Sequence, residues 1–560
     1  MRDWQNIAAT DYDVVVIGGG INGAGTARDA ALRGLRTIVI EKNDFASGTS
    51  SWSTRLVHGG LRYLEQFEFS LVRESLRERE ILLRNAPHLV HPLLLTVPIY
   101  GERSRPYWKV WAGMMLYDLF SYDKSVPIHR MVRGGALKQV ARGLDGENLK
   151  GGAQYYDAQA EYAERLCLEN IFAARDAGAT VCNYVTVTGL ERTGKRIHQV
   201  QCQDSLTGET FTVPLTAKGM VINTAGPWVD QVLERVRGEF VCDRQIGGTK
   251  GSHIIVDPFP GMPETAFYVE AKSDKRPFFI VPWLGRVLIG TTDLRFGGDL
   301  DRVKANTDEI DYLLNETNAI LPTANLSRAD IKFTYSGVRP LPYRQQSHSQ
   351  KTGAFTRKHT LHDHSPEGVQ NLVSLIGGKL TTYRHVGEEM VDWVYRKRGQ
   401  TPPPCPTLST PLPGCIQATD PRIQAATRQY ASLLSRETVS HLFTLYGSGA
   451  QQVLALVDET MELAESISPH LPDIKAQIVY AVNQELAQTY LDITRRRTTL
   501  AMQDHYGFNA LPILAEVLQK YCGWTEERCD RNRAEYYTFM RENCIPDFQL
   551  GAIEESLAIA

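Results

Sequence analysis

One short turn of chain constrains the fold of this sequence more than any other feature. Residues 11–18, DYDVVVIG, read as a buried strand that runs straight into Gly18-Gly19-Gly20-Ile21-Asn22-Gly23. A small-residue helix, NGAGTARDAALRG, follows, and a second apolar strand, LRTIVIEK, carries Glu41 near its end. Strand, glycine turn, helix and an acid about twenty residues further on make up a dinucleotide-binding fingerprint. Each glycine has its own task. Gly18 permits the tight turn, Gly20 lets backbone amides approach a pyrophosphate, and Gly23 lets helix and strand pack closely. The helix N-terminus sets partial positive charge against phosphate. Glu41 can accept both ribose hydroxyls of an adenosine and would repel a 2′-phosphate.

Two later stretches favour FAD over NAD. Val221-Ile222-Asn223-Thr224-Ala225-Gly226 is a buried strand ending in small residues, suited to backbone passing beside a cofactor. Leu375-Ile376-Gly377-Gly378-Lys379-Leu380-Thr381-Thr382 is a strand, a glycine pair and a helix start. A helix N-terminus there can stabilise negative charge on the N1–C2=O edge of a reduced flavin, which an NAD domain does not need.

The remaining organisation is legible in outline. At 560 residues the chain exceeds one core. Strands and helices alternate up to about residue 245, with a helix at 162–178, a strand TVCNYVTV and a hairpin about Thr207-Gly208. Strands SHIIVD, FFIVPW and RVLIGTT then suggest a mainly antiparallel sheet. Six prolines in Pro402 to Gly414 read as a linker, and helical spacing dominates beyond it. Lys and Arg total 61 against 64 Asp and Glu, so no global charge draws the chain to nucleic acid. The nine cysteines are scattered without a C-x-x-C pair, which argues against a disulfide framework, an iron–sulfur cluster or a metal site. The N-terminal run has no apolar signal core, and no stretch reaches the roughly 18 apolar residues of a membrane span. The expectation is a cytoplasmic chain that is soluble or rests on a membrane without crossing it.

Seven motifs in order bear a family likeness: VIGGGINGAG (16–25), TSSWSTRLVHGGLRYLE (49–65), NTAGPWV (223–229), KGSHIIV (250–256), IGTTD (289–293), YSGVRPL (335–341) and GGKLTTYR (377–384). Together they resemble the FAD-dependent glycerol-3-phosphate dehydrogenases of the aerobic, quinone-linked type. The likeness runs from about residue 11 to 400, with a weaker match beyond. It implies an α/β FAD-binding domain, Rossmann-like and of the glycine-oxidase and glutathione-reductase type, with an α+β substrate domain and an all-α C-terminal cap. The expected division is 1–98, 151–245 and 335–400 for FAD binding and 99–150 and 246–334 for the substrate. A linker at 401–413 and a helical domain at 414–545 complete it.

The resemblance also implies a chemistry: hydride transfer from C2 of sn-glycerol 3-phosphate to N5 of non-covalent FAD, giving dihydroxyacetone phosphate, with electrons passed to a quinone. Its FAD contacts fall at Asn22, Lys42, Thr49, Ser50, Ser51, His58, Gly59, Gly60, Trp228, Leu380 and Thr381, besides the glycines, Glu41, Ala225, Gly226, Gly378 and Lys379. Arg62, Tyr63, Arg357 and Lys379 take the substrate phosphate, a near-dianion that guanidinium forks suit. Arg339 sits beside the C2 oxygen, where positive charge eases alkoxide formation. Neutral imidazole suits the proton acceptor, and His58 and His253 are the two candidates.

RSRPYWKVWAGMMLYDLF (103–120) mixes basic, aromatic and apolar residues as an interfacial helix does, or as a buried substrate-domain helix with a basic end would, and the resemblance, to a family peripheral on the inner face of the membrane, favours the first. The triplets Arg396-Lys397-Arg398 and Arg495-Arg496-Arg497 either offer further attraction to anionic lipid or are simply solvated helix faces. A homodimer is left open. The competing readings are a glycerol-3-phosphate oxidase that uses O2 and an amine or amino-acid oxidase on the same scaffold.

Overall fold

The computed structural model describes residues 2–101, 105–343, 358–502 and 504–559. Strand Tyr12–Ile17 lies between two parallel neighbours, Thr37–Ile40 and Thr210–Asn223, and Val14, Val15 and Val16 are fully buried. An unbroken apolar strand is what a sheet covered on both faces requires. Beyond the neighbours lie Thr180–Cys182 on one side and Leu372–Ile376 on the other, both parallel, with Thr360–Asp363 antiparallel at the edge. Helix Ile21–Leu32 packs against this sheet through Ala24, Ala27 and Ala30. The segment TVCNYVTV, read as one strand, is two. Tyr184 adopts a φ of 55°, and the chain leaves Thr180–Cys182 to begin Val185–Thr193, the outer arm of a hairpin.

A second, ten-stranded sheet is antiparallel save where Ala266–Glu270 meets Val90–Tyr100. Within it Thr249–Val256 lies between Ile331–Arg339 and Arg286–Gly290, so that His253 faces Tyr335 on one neighbour and Gly290 on the other. Strands Val90–Tyr100, Leu149–Ala160 and Ile331–Arg339 all belong here. The chain therefore changes sheets inside the ranges 1–98, 151–245 and 335–400 instead of at their ends. Period-two patterning shows that a segment is a strand, not which sheet it joins.

The proline run is held along its length. Arg28 donates to the carbonyls of Thr410 and Pro411, Arg33 to that of Pro403, and Asn85 to that of Thr407. Helices including Pro421–Gln429, Arg436–Tyr446, Ala450–Glu459, Lys475–Asn483, Leu511–Cys522 and Glu526–Asn543 follow. They share one continuous hydrophobic core with the first sheet's helices. The triplet Arg495-Arg496-Arg497, expected at a lipid or solvent surface, is buried. Arg496 Nε lies 2.6 Å from Asp44 Oδ2, and Arg497 holds the same carboxylate. Of the other triplet, Arg396 pairs with Asp392, Lys397 with Asp363 and Arg398 with Asp13.

Candidate active site

The ends of both sheets and one face of the helical cap enclose a cavity of about 880 Å³. Its floor is the glycine turn. Gly18 has a φ of 104°, and a Cβ there would lie 2.8 Å from the Thr224 carbonyl oxygen. A Cβ on Gly23 would lie 1.9 Å from the Gly18 carbonyl oxygen, so only glycine permits this helix–turn contact. Gly20 opens the helix and lines the cavity, and Ser50 Oγ accepts the N–H of Ile21 beside it. Glu41 accepts the N–H groups of Gly19 at 2.7 Å and Asn43 at 2.9 Å, one on each oxygen, which leaves each oxygen a further lone pair. Lys42 stands at the rim, paired with Asp301 and 4.4 Å above the Trp228 ring.

The walls fit an adenine dinucleotide with a flavin. Asn22 Oδ1 and Trp228 Nε1 are buried in the cavity lining and have no hydrogen-bond partner among the described residues. Buried polar atoms of that kind are rare unless a ligand completes them. Ala225, Gly226, Gly378, Leu380 and Thr381 line the cavity too, the last with its hydroxyl 3.2 Å from the His58 amide. Thr49 is present in the lining, but its hydroxyl donates to the Val338 carbonyl. Ser51, Gly59 and Gly60 are not in it. The Ser51 hydroxyl donates to Ala46, and Gly59 packs so tightly under Tyr117 that a Cβ would meet its hydroxyl at 2.4 Å. Gly60 takes a φ of 76° to turn the chain toward Tyr63.

At the far end stand the side chains that can act on a substrate. Arg339 places Nη1 3.2 Å from Asp293 Oδ1 and Nη2 3.0 Å from Thr291 Oγ1. Gly251 makes room for it: a Cβ there would sit 2.2 Å from Nη2. His253 Nε2 lies 2.9 Å from Thr54 Oγ1, its ring stacks on Tyr335, and its Nδ1 is buried with no hydrogen-bond partner among the described residues. Burial, reinforced by Arg339 and Arg55, holds its pKa well below the ordinary histidine value, so the imidazole is neutral. The His58 ring is half-buried in the lining and meets Phe279 edge-on. Lys379 Nζ sits 4.2 Å above the Tyr63 ring and 3.3 Å from Ser75 Oγ.

A family model described as FAD dependent oxidoreductase matches residues 13–393, and one for the C-terminal domain of alpha-glycerophosphate oxidase matches 405–529. The chain is 58% identical over 557 residues to a glycerol-3-phosphate dehydrogenase of Synechocystis, spanning 98% of this chain and 100% of that one. The chain belongs to the FAD-dependent glycerol-3-phosphate dehydrogenases. Its cofactor is FAD and its fold is the one the motifs implied. The aerobic glycerol-3-phosphate dehydrogenase of Escherichia coli is 36% identical over 495 residues, 88% of this chain and 94% of that one. A crystal structure of the Bacillus halodurans glycerol-3-phosphate dehydrogenase complexed with FAD superposes with a TM-score of 0.76 at 30% identity, covering 96% of each chain.

The anchoring set expected from this family is only partly gathered. Lys379 and Tyr63 share the cavity with the catalytic candidate Arg339, whereas Arg62 lies beside Tyr63 outside the lining and Arg357 falls outside the described residues. Sequence reasoning also missed several wall residues. Asp293 and Thr291, which hold Arg339, sit in IGTTD, a motif used only for likeness. Tyr536, Phe539 and Asn543 come from the cap, where nothing local distinguishes them from core. The helix Tyr107–Phe120 buries Met114 and Tyr117 and exposes Trp108, Trp111, Met115 and Leu119. Exposed Phe67, Phe69 and Tyr122 add to the apolar surface residues of this region, Phe69 stacking on Phe120. Among the described residues no helix is long and apolar enough to cross a membrane.

Proposed function

We propose that this chain oxidises sn-glycerol 3-phosphate to dihydroxyacetone phosphate and passes the electrons to a membrane quinone. One observation carries the reading: a fixed guanidinium, two histidines and a lysine from four separate segments line the far end of the cavity that begins at the dinucleotide turn. When bound there, FAD supplies the acceptor for the hydride leaving C2.

The chain's own residues hold the cofactor and manage charge and protons. Gly18, Gly20 and Asn22 take the pyrophosphate, Glu41 the adenosine ribose, and Ala225, Gly226 and Gly378 to Thr381 the flavin side. Lys379, steered by Tyr63 and Ser75, meets the phosphate. Arg339 is fixed by Asp293 and Thr291 before substrate arrives, so it needs no reorganisation to stabilise charge on the C2 oxygen. Of the two candidate bases, His58 is the half-exposed one and takes the hydroxyl proton. His253, with Nε2 on Thr54 and its ring on Tyr335, positions the wall behind it.

The exposed aromatic face of Tyr107–Phe120 supports docking on the inner face of the cell membrane, where a quinone is within reach. Anaerobic mixing of flavin-loaded protein with glycerol 3-phosphate, glycerol and glycine in turn tests the substrate. Bleaching of the flavin by the first alone is the expected result, and bleaching by glycine would move the chain to the amine oxidases. Turnover with a soluble quinone analogue, without matching peroxide, tests the acceptor against the oxidase reading.

A further inference from the structure

Far along the chain from the glycine turn, four metal-binding side chains converge. Cys242, His362, His364 and Glu367 place one donor atom each within 4.8 Å of one another, the one such group of three or more among the described residues. Cysteine spacing alone argues against a metal, because Cys242 and His364 meet across 122 positions. The geometry points to a closed zinc site built from a thiolate, two imidazoles and a carboxylate.

The distances are those of a set that needs only small side-chain rotations to close. His362 Nε2 lies 2.9 Å from Glu367 Oε1, Cys242 Sγ 3.8 Å from His364 Nδ1, and His364 Nδ1 3.9 Å from Glu367 Oε2. Tetrahedral bonds of about 2.0–2.3 Å to nitrogen, oxygen and sulfur put ligand atoms about 3.2–3.8 Å apart. Glu367 Oε2 is also buried with no hydrogen-bond partner among the described residues, although its twin oxygen is satisfied.

The surroundings orient one ligand. Ser374 Oγ, 2.9 Å from His364 Nε2, can accept from that nitrogen and from Asn223 Nδ2 together. That assignment leaves His364 Nδ1 as the lone-pair atom facing Cys242, the outer hydrogen bond that metal-bound histidines characteristically make. Mixed sulfur, nitrogen and oxygen donors favour zinc over calcium or magnesium, which take oxygen alone. One thiolate and one carboxylate would balance the charge of the ion.

A metal here would be structural. Cys242 belongs to the segment that leads into Thr249–Val256, the strand of Gly251 and His253. His362 lies within the edge strand Thr360–Asp363 and His364 directly follows it, and that strand pairs with Leu372–Ile376, which delivers Gly378 and Lys379 to the cavity. The ion would thus fasten together the starting points of two cavity walls.

The test uses the full-length, FAD-loaded enzyme, purified without a metal-affinity tag and assayed for metal by mass spectrometry. One zinc per chain is expected, with its loss in Cys242→Ala/His364→Ala. Cobalt(II) added to chelator-stripped protein should give the intense visible bands of a tetrahedral site and a sulfur-to-cobalt charge-transfer band that Cys242→Ser removes. The Ser variant keeps the test informative if the double variant fails to fold. Substoichiometric zinc together with no one-to-one uptake in competition with a chromophoric chelator would overturn the assignment. So would cobalt bands that persist unchanged in Cys242→Ser.

Discussion

Replacing both exposed indoles of the helix Tyr107–Phe120, as Trp108→Ser/Trp111→Ser, should release the protein from lipid. Trp108 is 69% exposed and Trp111 49%, so together they offer somewhat more than one whole indole to the surroundings. A buried aromatic of this size covers up to about 250 Å², and full transfer at about 25 cal/mol per Å² would contribute about 6 kcal/mol. An interfacial helix enters only part way, which brings the figure to about 3 kcal/mol. That is about a hundred-fold in partition coefficient. Co-sedimentation with liposomes of mixed anionic and zwitterionic lipid measures it, and dye-linked turnover in solution controls for the active site. The exposed Met115, Leu119 and Phe67 should leave a residual affinity. Two results would refute the argument. Partitioning unchanged from wild type would show that the face does not meet lipid. A large fall in thermal midpoint of the soluble protein would show that the indoles are packed instead of exposed.

Three further outcomes follow from the site. Asp44→Asn takes from buried Arg496 and Arg497 the carboxylate they share, leaving Asp492 and Glu485 as their remaining acids, and losing one partner of a buried ion cluster costs about 3–5 kcal/mol, readable by urea unfolding. Burial alone would raise the Asp44 carboxyl, but Arg497 and Arg496 outweigh it and hold its pKa below the ordinary range. Its contribution is therefore complete above the unfolded aspartate value of about 4 and is lost as pH falls through the lower folded value. A gap between wild type and variant that persists at strongly acid pH would contradict this. Gly23→Ala forces a methyl to within 1.9 Å of the Gly18 carbonyl oxygen, so the purified variant should carry little flavin, and full flavin absorbance per chain would count against the turn geometry. Because His253 is held neutral, it stays deprotonated throughout the neutral range. Any acid limb near neutrality in kcat/KM should therefore survive His253→Gln, and its disappearance in that variant would contradict the neutral assignment.

What could be read from the chain and what could not divide along a physical line. The dinucleotide turn was legible because its requirements are local: Gly18 and Gly23 answer to atoms within a few residues or in the adjoining strand, and the resulting pattern is short and regular. The second sheet is legible only in part: Thr249–Val256, Pro277–Trp283 and Arg286–Gly290 carry strand patterning, whereas Val90–Tyr100 and Leu149–Ala160, strands of the same sheet, are not distinguished by it. Charge was the least legible. Three consecutive arginines at 495–497 suggest a solvated face by composition, yet a carboxylate some 450 positions away in the chain, Asp44, draws two of them into the interior. Arg496 lines the cofactor cavity as well, so the salt bridge that attaches the cap also finishes the wall beside the dinucleotide turn. Cap and FAD site are thus energetically one unit. A substitution that loosens the cap at Asp44 should weaken flavin retention before it abolishes folding, because the wall depends on the same pair that holds the helices down.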